Sequence, residues 1–118
     1  RDRYFNFIVI GDNDSFYIQK RVSKDIWQNL YQFPLQESEK EIISPLELEE
    51  SLVNKSVFLK VSEQYKHVLS HQRIYAKFWE FHVGELPSLN GCKKIKKSDI
   101  AEFAIPRLIE KYLESVKN

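Results

Sequence analysis

A chain of 118 residues with 42% hydrophobic and 14% aromatic content is a single globular domain able to bury most of its unfolded surface, which excludes a disordered segment. One cysteine, Cys92, excludes a disulfide framework, an iron–sulfur cluster and a Cys-rich zinc site, and fits a reducing cytoplasm. The net charge of +1 does not by itself advertise a polyanionic partner, and no apolar run reaches the roughly 18–20 residues of a membrane span.

Tyr4 to Ile10 is apolar and β-rich, and Gly11 to Ser15 supplies turn chemistry. Phe16 to Arg21 then alternates Phe16, Ile18 and Lys20 against Tyr17, Gln19 and Arg21, which completes a hairpin signal. Asp25 to Pro34 packs Ile26, Trp27, Leu30, Tyr31 and Phe33 into one short stretch. Each such side chain gains roughly 1.5–3 kcal/mol on burial, so the segment reads as framework, with Ile26, Trp27, Leu30 and Phe33 anchoring the sheet. Leu30 to Phe33 forms a short strand stopped by Pro34.

Ser44-Pro45-Leu46-Glu47 is a capping box with proline at the first helical position, and it predicts a helix to about Asn54. Tyr65 to Leu69 and Ile74 to Val83 read as strands, the second carrying Tyr75, Phe78, Trp79 and Phe81. Gly84 to Gly91 is a loop, and Cys92 to Lys96 a further short strand. Ile105, Leu108, Ile109, Tyr112, Leu113 and Val116 recur at the spacing of one helical face, with Pro106 in the first turn. Arg107, Glu110, Lys111 and Glu114 take the other face. Strands followed by helices, with no repeat or linker, make one α+β domain over residues 1–118. The chain lacks methionine and runs from Arg1 straight into a strand, so it is expected to be excised from a longer protein.

Charge is unevenly placed. Carboxylates concentrate between Glu37 and Glu50, whereas Lys93, Lys94, Lys96 and Lys97 form a compact basic cluster. Lys55, Lys60, Lys66, Arg73 and Lys77 surround the middle of the chain. Such asymmetry can give a nearly neutral protein a positive face, although a lysine cluster is more often simply solvated.

Three segments carry a family resemblance. Lys20-Arg21 followed by Asp25 to Pro34 resembles the Q-R-P-x-x-G-I-W-x-G-L-W-E-F-P segment in the C-terminal, MutT-like domain of A/G-specific adenine DNA glycosylases, the MutY family. Val22 stands where proline is usual, and Asp25, Gln28 and Asn29 replace small or glycine residues. His67-Val68-Leu69-Ser70-His71-Gln72 resembles that family's F-S-H loop, with Leu69 in place of the usual Phe. Ile100 to Pro106 resembles the D-E-L-x-x-Y-A-L-P stretch before the closing helix. The resemblance implies a Nudix-like α/β/α sandwich with a mixed β-sheet and a C-terminal amphipathic helix.

A Nudix pyrophosphatase needs G-x5-E-x7-R-E-x2-E-E-x-G, whose clustered glutamates hold the divalent ions that polarise a phosphoanhydride. No glycine lies between Gly11 and Gly84, and no arginine between Arg21 and Arg73, so the usual metal site is not encoded. Glu47, Glu49 and Glu50 read instead as a cap and a solvated face. His67 and His71 lie on a strand and a loop with no third ligand, and adjacency does not make Ser70 and His71 a catalytic pair. Trp27 and Trp79 read as core.

The resemblance puts the functional weight on Leu69, Ser70, His71 and Gln72 as the residues that meet DNA and 8-oxoguanine. Oxidation turns guanine N7 from an acceptor into an N–H donor and adds a carbonyl acceptor at C8, on the edge exposed in the major groove. A serine hydroxyl both donates and accepts, while backbone carbonyls only accept. By the resemblance Ser70 meets the lesion edge, His71 supports the loop or the search, and Leu69 packs against DNA or the core. Lys66, Arg73, Lys93 and Lys94 are the candidate phosphate contacts.

The implied full-length enzyme removes undamaged adenine opposite 8-oxoguanine by N-glycosidic hydrolysis after flipping the adenine. Its catalytic carboxylates and [4Fe-4S] cluster belong to an N-terminal catalytic domain. This fragment is then expected to be a cytoplasmic monomer without catalytic residue, metal or cofactor, reading double-stranded DNA that contains 8-oxoguanine:adenine. The alternative is a catalytically silent Nudix-like module that binds a nucleotide or a protein partner.

Overall fold

The computed structural model describes residues 1–117. Its strands in chain order are β1 (Asp2–Gly11), β2 (Ser15–Lys20), β3 (Tyr31–Gln32), β4 (Leu35–Ser38), β5 (Val57–Val61), β6 (Tyr65–Val68), β7 (Arg73–His82) and β8 (Lys93–Lys96). Two α-helices accompany them, α1 (Glu50–Val53) and α2 (Arg107–Ser115). The sheet is mixed. Its path runs β3-β2-β1-β7-β5, with β4 on β1, β6 on β7 and β8 on β2.

The central pair explains the β-rich apolar runs. β1 lies parallel to β7 along its whole length, from Asp2 opposite Arg73 to Gly11 opposite His82. Past their first few residues both strands are covered on both faces, so each reads as a nearly continuous hydrophobic run. On one face Phe5, Phe7, Ile74 and Phe78 meet Leu108, Ile109 and Tyr112 of α2. Tyr112 stacks on Phe78 with ring centroids 4.0 Å apart, and its hydroxyl donates to Glu80 at 2.7 Å. On the other face Ile8, Ile10, Trp79 and Phe81 meet Ile42, Leu48 and Leu86. The buried Asn6 is satisfied there: Trp79 Nε1 donates to its Oδ1 at 3.1 Å, and its Nδ2 donates to Gln36 O and Ser38 Oγ.

Several expectations need correction. The β1–β2 hairpin is registered only at Gly11 opposite Phe16, because β4 takes the β1 edge from Tyr4 to Phe7 while β2 turns away to β8 and β3. Gly11 is required where the strands part, since a Cβ would lie 2.8 Å from the Ser15 carbonyl. The helix expected from Ser44 to Asn54 is broken into a 3-10 turn at Pro45–Glu47, an extended Leu48, and the short α1. The capping box itself forms: Ile43 and Ser44 N–H donate to Glu47 Oε2 at 3.0 Å, and Leu46 N–H donates to Ser44 Oγ. The interruption comes from β4. Glu49 N–H donates to Gln36 Oε1 at 2.7 Å and Gln36 Nε2 donates to Glu47 O, occupying groups that a continuous helix would pair, while Leu48 turns into the core.

Strands β4 and β5 escape the sequence reading, and β5 shows why: it is an edge strand whose five residues are all exposed, without the alternation that marks a half-buried strand. Pro106 sits at the N-cap of α2 rather than inside its first turn, and Val116 remains exposed. In the Asp25–Pro34 framework, Phe33 is fully buried and Ile26 and Trp27 pack at its margin, whereas Leu30 serves through its backbone, its carbonyl accepting from Arg21 N–H.

Candidate functional site

Strands β6 and β7 are joined by the turn Leu69–Gln72, closed by Leu69 N–H donating to the Gln72 carbonyl at 2.8 Å. The flanking pair Val68–Arg73 continues the antiparallel register, and Arg73 N–H donates to the Arg1 carbonyl at 2.7 Å. Ser70 and His71 are exposed at the tip, while Leu69 and Gln72 are half-buried at its base. The structure therefore presents two polar side chains at the tip of a hydrogen-bonded hairpin.

Arg3 fixes the base of that turn. Its Nη1 donates to Gln72 Oε1 at 3.0 Å and to Asp25 Oδ1 at 2.9 Å. Its Nη2 donates to Asp25 Oδ2 and Glu37 Oε1, and its Nε to Glu37 Oε2. All five guanidinium donors are thus used. Hydrogen bonding to Glu37, then to Asp25, holds Arg3 further toward its charged form than usual. Asp25 moves the other way: hydrogen bonding from Arg3 lowers its carboxyl to about 2.

Arg21 completes the cluster. Its Nη2 donates to Asp25 Oδ2 at 2.8 Å, its Nη1 to Gln32 Oε1, and its Nε to the Ile26 carbonyl. Both guanidinium groups lie over the Phe5 ring, Arg3 at 4.9 Å and Arg21 at 5.5 Å. Trp27 meets Phe5 edge-on and packs against His67 of β6, which joins the Asp25–Pro34 framework to the hairpin. Asn29, at a position where the MutY resemblance carries glycine, has φ +71°, and its N–H donates to the Arg21 carbonyl.

The candidate phosphate contacts separate into two groups. Lys66 and Arg73 flank the turn on β6 and β7; Lys66 Nζ lies 5.7 Å from the Tyr75 ring centroid, and Arg73 Nε donates to Asp2 at 2.7 Å. Lys93 and Lys94 lie on β8, with β2 and β1 between them and β7. Lys94 Nζ donates to the Leu86 carbonyl at 2.8 Å, and Lys93 lies over Phe103. The basic cluster is therefore not part of the turn's surroundings. Among the described residues, no group of three His, Cys, Asp or Glu side chains converges as metal ligands. Glu47 is engaged as a cap, and bonding from Ser44 and Ile43 N–H holds its carboxyl below its ordinary range.

The architecture and the comparisons agree. The family model described as the NUDIX domain matches residues 6–115. The chain belongs to the NUDIX domain family. No curated protein sequence matches this Nudix domain. Among solved structures, it superposes on the C-terminal domain of mouse MUTYH, determined in complex with human PCNA, with TM-score 0.67 and 11% identity over 97% of this chain and 86% of that one. It is similar to the MutT protein from Methanosarcina mazei Go1, with TM-score 0.66 and 10% identity over 99% and 96% of the two chains. The Nudix hydrolase RenU from M. Smegmatis follows, with TM-score 0.61 and 5% identity over 100% and 88%. At these identities the likeness is one of fold.

Sequence reasoning missed Arg3 and treated Asp25 only as a departure from the pattern. A signal existed. Arg3, Phe5 and Phe7 alternate onto one face of a strand, and a cation in that row must bring carboxylates with it.

Proposed function

We propose that this Nudix domain is the lesion-reading domain of an adenine DNA glycosylase acting in base excision repair, with the Leu69–Gln72 turn contacting 8-oxoguanine in duplex DNA. One observation carries the reading: Ser70 and His71 stand exposed at the tip of a hairpin whose base is tied to Arg3. A group aimed at a base edge must be held by the scaffold, because discrimination comes from one or two hydrogen bonds worth about 0.5–1.5 kcal/mol each. The Ser70 hydroxyl can donate to O8, and a carbonyl of the turn can accept from N7–H; guanine offers the reverse at N7 and nothing at C8. The fold likeness to the C-terminal domain of mouse MUTYH supports the same reading.

In this proposal the adenine is excised by an N-terminal catalytic domain of the same protein, which also carries the [4Fe-4S] cluster. The present domain contributes recognition and no bond cleavage. Fluorescence anisotropy with matched duplexes tests it: the chain is expected to bind 8-oxoguanine:adenine more tightly than guanine:adenine. Equal affinity for the two would refute the reading. Binding of free 8-oxo-dGTP without duplex binding would favour a silent nucleotide-binding module.

A further inference from the structure

Residues in register across neighbouring strands share a face of the sheet. Tyr4 is in register with both Ser38 and Tyr75, and Tyr75 with Lys66, so Ser38, Tyr4, Tyr75 and Lys66 form one transverse row. Asp2, Arg73 and Val68 form the next row, immediately before the turn. This is the face that buries Trp79 and Phe81 further along β7. Its cover stops one row short: Lys77 Nζ donates to the Ile42 carbonyl at 2.9 Å and pairs with Glu41 at 2.6 Å. Beyond that point Tyr4 and Tyr75 are half-buried, and Lys66, Val68 and Arg73 are exposed.

The two tyrosine rings stack with centroids 5.3 Å apart and planes 19° from parallel, with Lys66 Nζ over the Tyr75 ring. A ledge of stacked tyrosines, edged by Lys66 and by Arg73 with its Nε on Asp2, suits a sugar–phosphate strand: ring edges border the sugar, while hydroxyls and cations meet phosphate oxygens. Charge sets the direction. On the β4 side the row ends at the uncharged Ser38, whereas the β6 side carries Lys66 and leads directly to Ser70.

We propose that the ledge formed by Tyr4, Tyr75, Lys66 and Arg73 binds the sugar–phosphate backbone of DNA beside the base met by Ser70. The inference rests on the turn being a DNA-reading element, and it assigns phosphate contact to Lys66 and Arg73 rather than to Lys93 and Lys94. The turn supplies discrimination; the ledge supplies affinity that is blind to the base.

A salt series with the two duplexes separates these roles. Lys66→Gln is expected to reduce the slope of log Kd against log salt by roughly one contact, and to weaken both duplexes by the same factor. Tyr75→Leu is expected to weaken both alike, with circular dichroism reporting an intact fold, while Lys93→Gln leaves the slope unchanged. An unchanged slope for Lys66→Gln, an equal loss for Lys93→Gln, or absence of duplex binding at low salt would overturn the ledge. Equal affinity of the unsubstituted chain for both duplexes, with the Lys66→Gln slope change intact, would overturn lesion reading and leave the ledge standing.

Discussion

Arg3 Nη1 donates to Gln72 Oε1 at 3.0 Å, joining residues 69 positions apart. The bond ties the first strand to the turn through a guanidinium whose other donors are held by Asp25 and Glu37, with 8% of the Arg3 side chain exposed. Replacing Arg3 leaves two half-exposed carboxylates side by side without their shared cation. Arg3→Met is therefore expected to cost about 2 kcal/mol in urea unfolding, between an exposed pair and a buried pair broken from one side. A cost below about 1 kcal/mol would mean that the cluster behaves as an exposed pair. Gln72→Met removes one hydrogen bond, about 1 kcal/mol, and is expected to speed amide exchange at Leu69, whose N–H closes the turn.

The same cluster predicts an acid limb. Bonding from Arg3 lowers the Asp25 carboxyl from 3.8 to about 2. A folded-state pKa below the unfolded one stabilises fully above about pH 4, and that contribution is lost as the pH falls from about 4 to 2. The depression corresponds to roughly 2 kcal/mol at most. Urea midpoints across this window should fall more steeply for the unsubstituted chain than for Asp25→Asn. Parallel curves would place the acid sensitivity in other carboxylates.

Much of this architecture is legible from residues alone, for reasons the structure makes plain. Alternating or continuous apolar runs specify β1, β2 and β7 because those strands are buried, and the α2 stripe is legible because it covers Phe78 and Phe33. Legibility fails where tertiary bonds override local signals. The capping box at Ser44 starts a helix that Gln36 then interrupts, and no local pattern announces a side chain arriving from β4. The turn at Ser70 is reached through the family resemblance, whereas the Arg3–Asp25–Gln72 tie and the Tyr4–Tyr75 stack are long-range pairings that emerge only when β1 is laid beside β7.

Asn29 offers a backbone test. Its φ of +71° lies in the left-handed region, which glycine adopts freely and asparagine better than most residues. Asn29→Gly is expected to leave stability nearly unchanged, whereas Asn29→Val should cost about 1–2 kcal/mol through Cβ crowding. Thermal melts of the two variants decide it. Equal destabilisation would show that the Asn29 side chain, rather than its backbone, is what the loop needs.

The tip of the turn tests recognition itself. Ser70 and His71 are exposed, so Ser70→Ala and His71→Ala should each change stability by no more than about 0.5 kcal/mol. Their effect on binding differs in kind from that of Lys66. Ser70→Ala removes the only hydroxyl in the turn, and with it the donor proposed for O8, so preference for 8-oxoguanine:adenine over guanine:adenine should fall by roughly 2- to 10-fold, the worth of one neutral hydrogen bond. The loss should come from weaker binding of the oxidised duplex, with the guanine duplex nearly unaffected, because a donor opposite C8 has no partner in guanine. The double variant Ser70→Ala with His71→Ala should retain the salt slope, since neither residue neutralises a phosphate in this arrangement. A preference that survives the double variant would remove the turn from lesion reading.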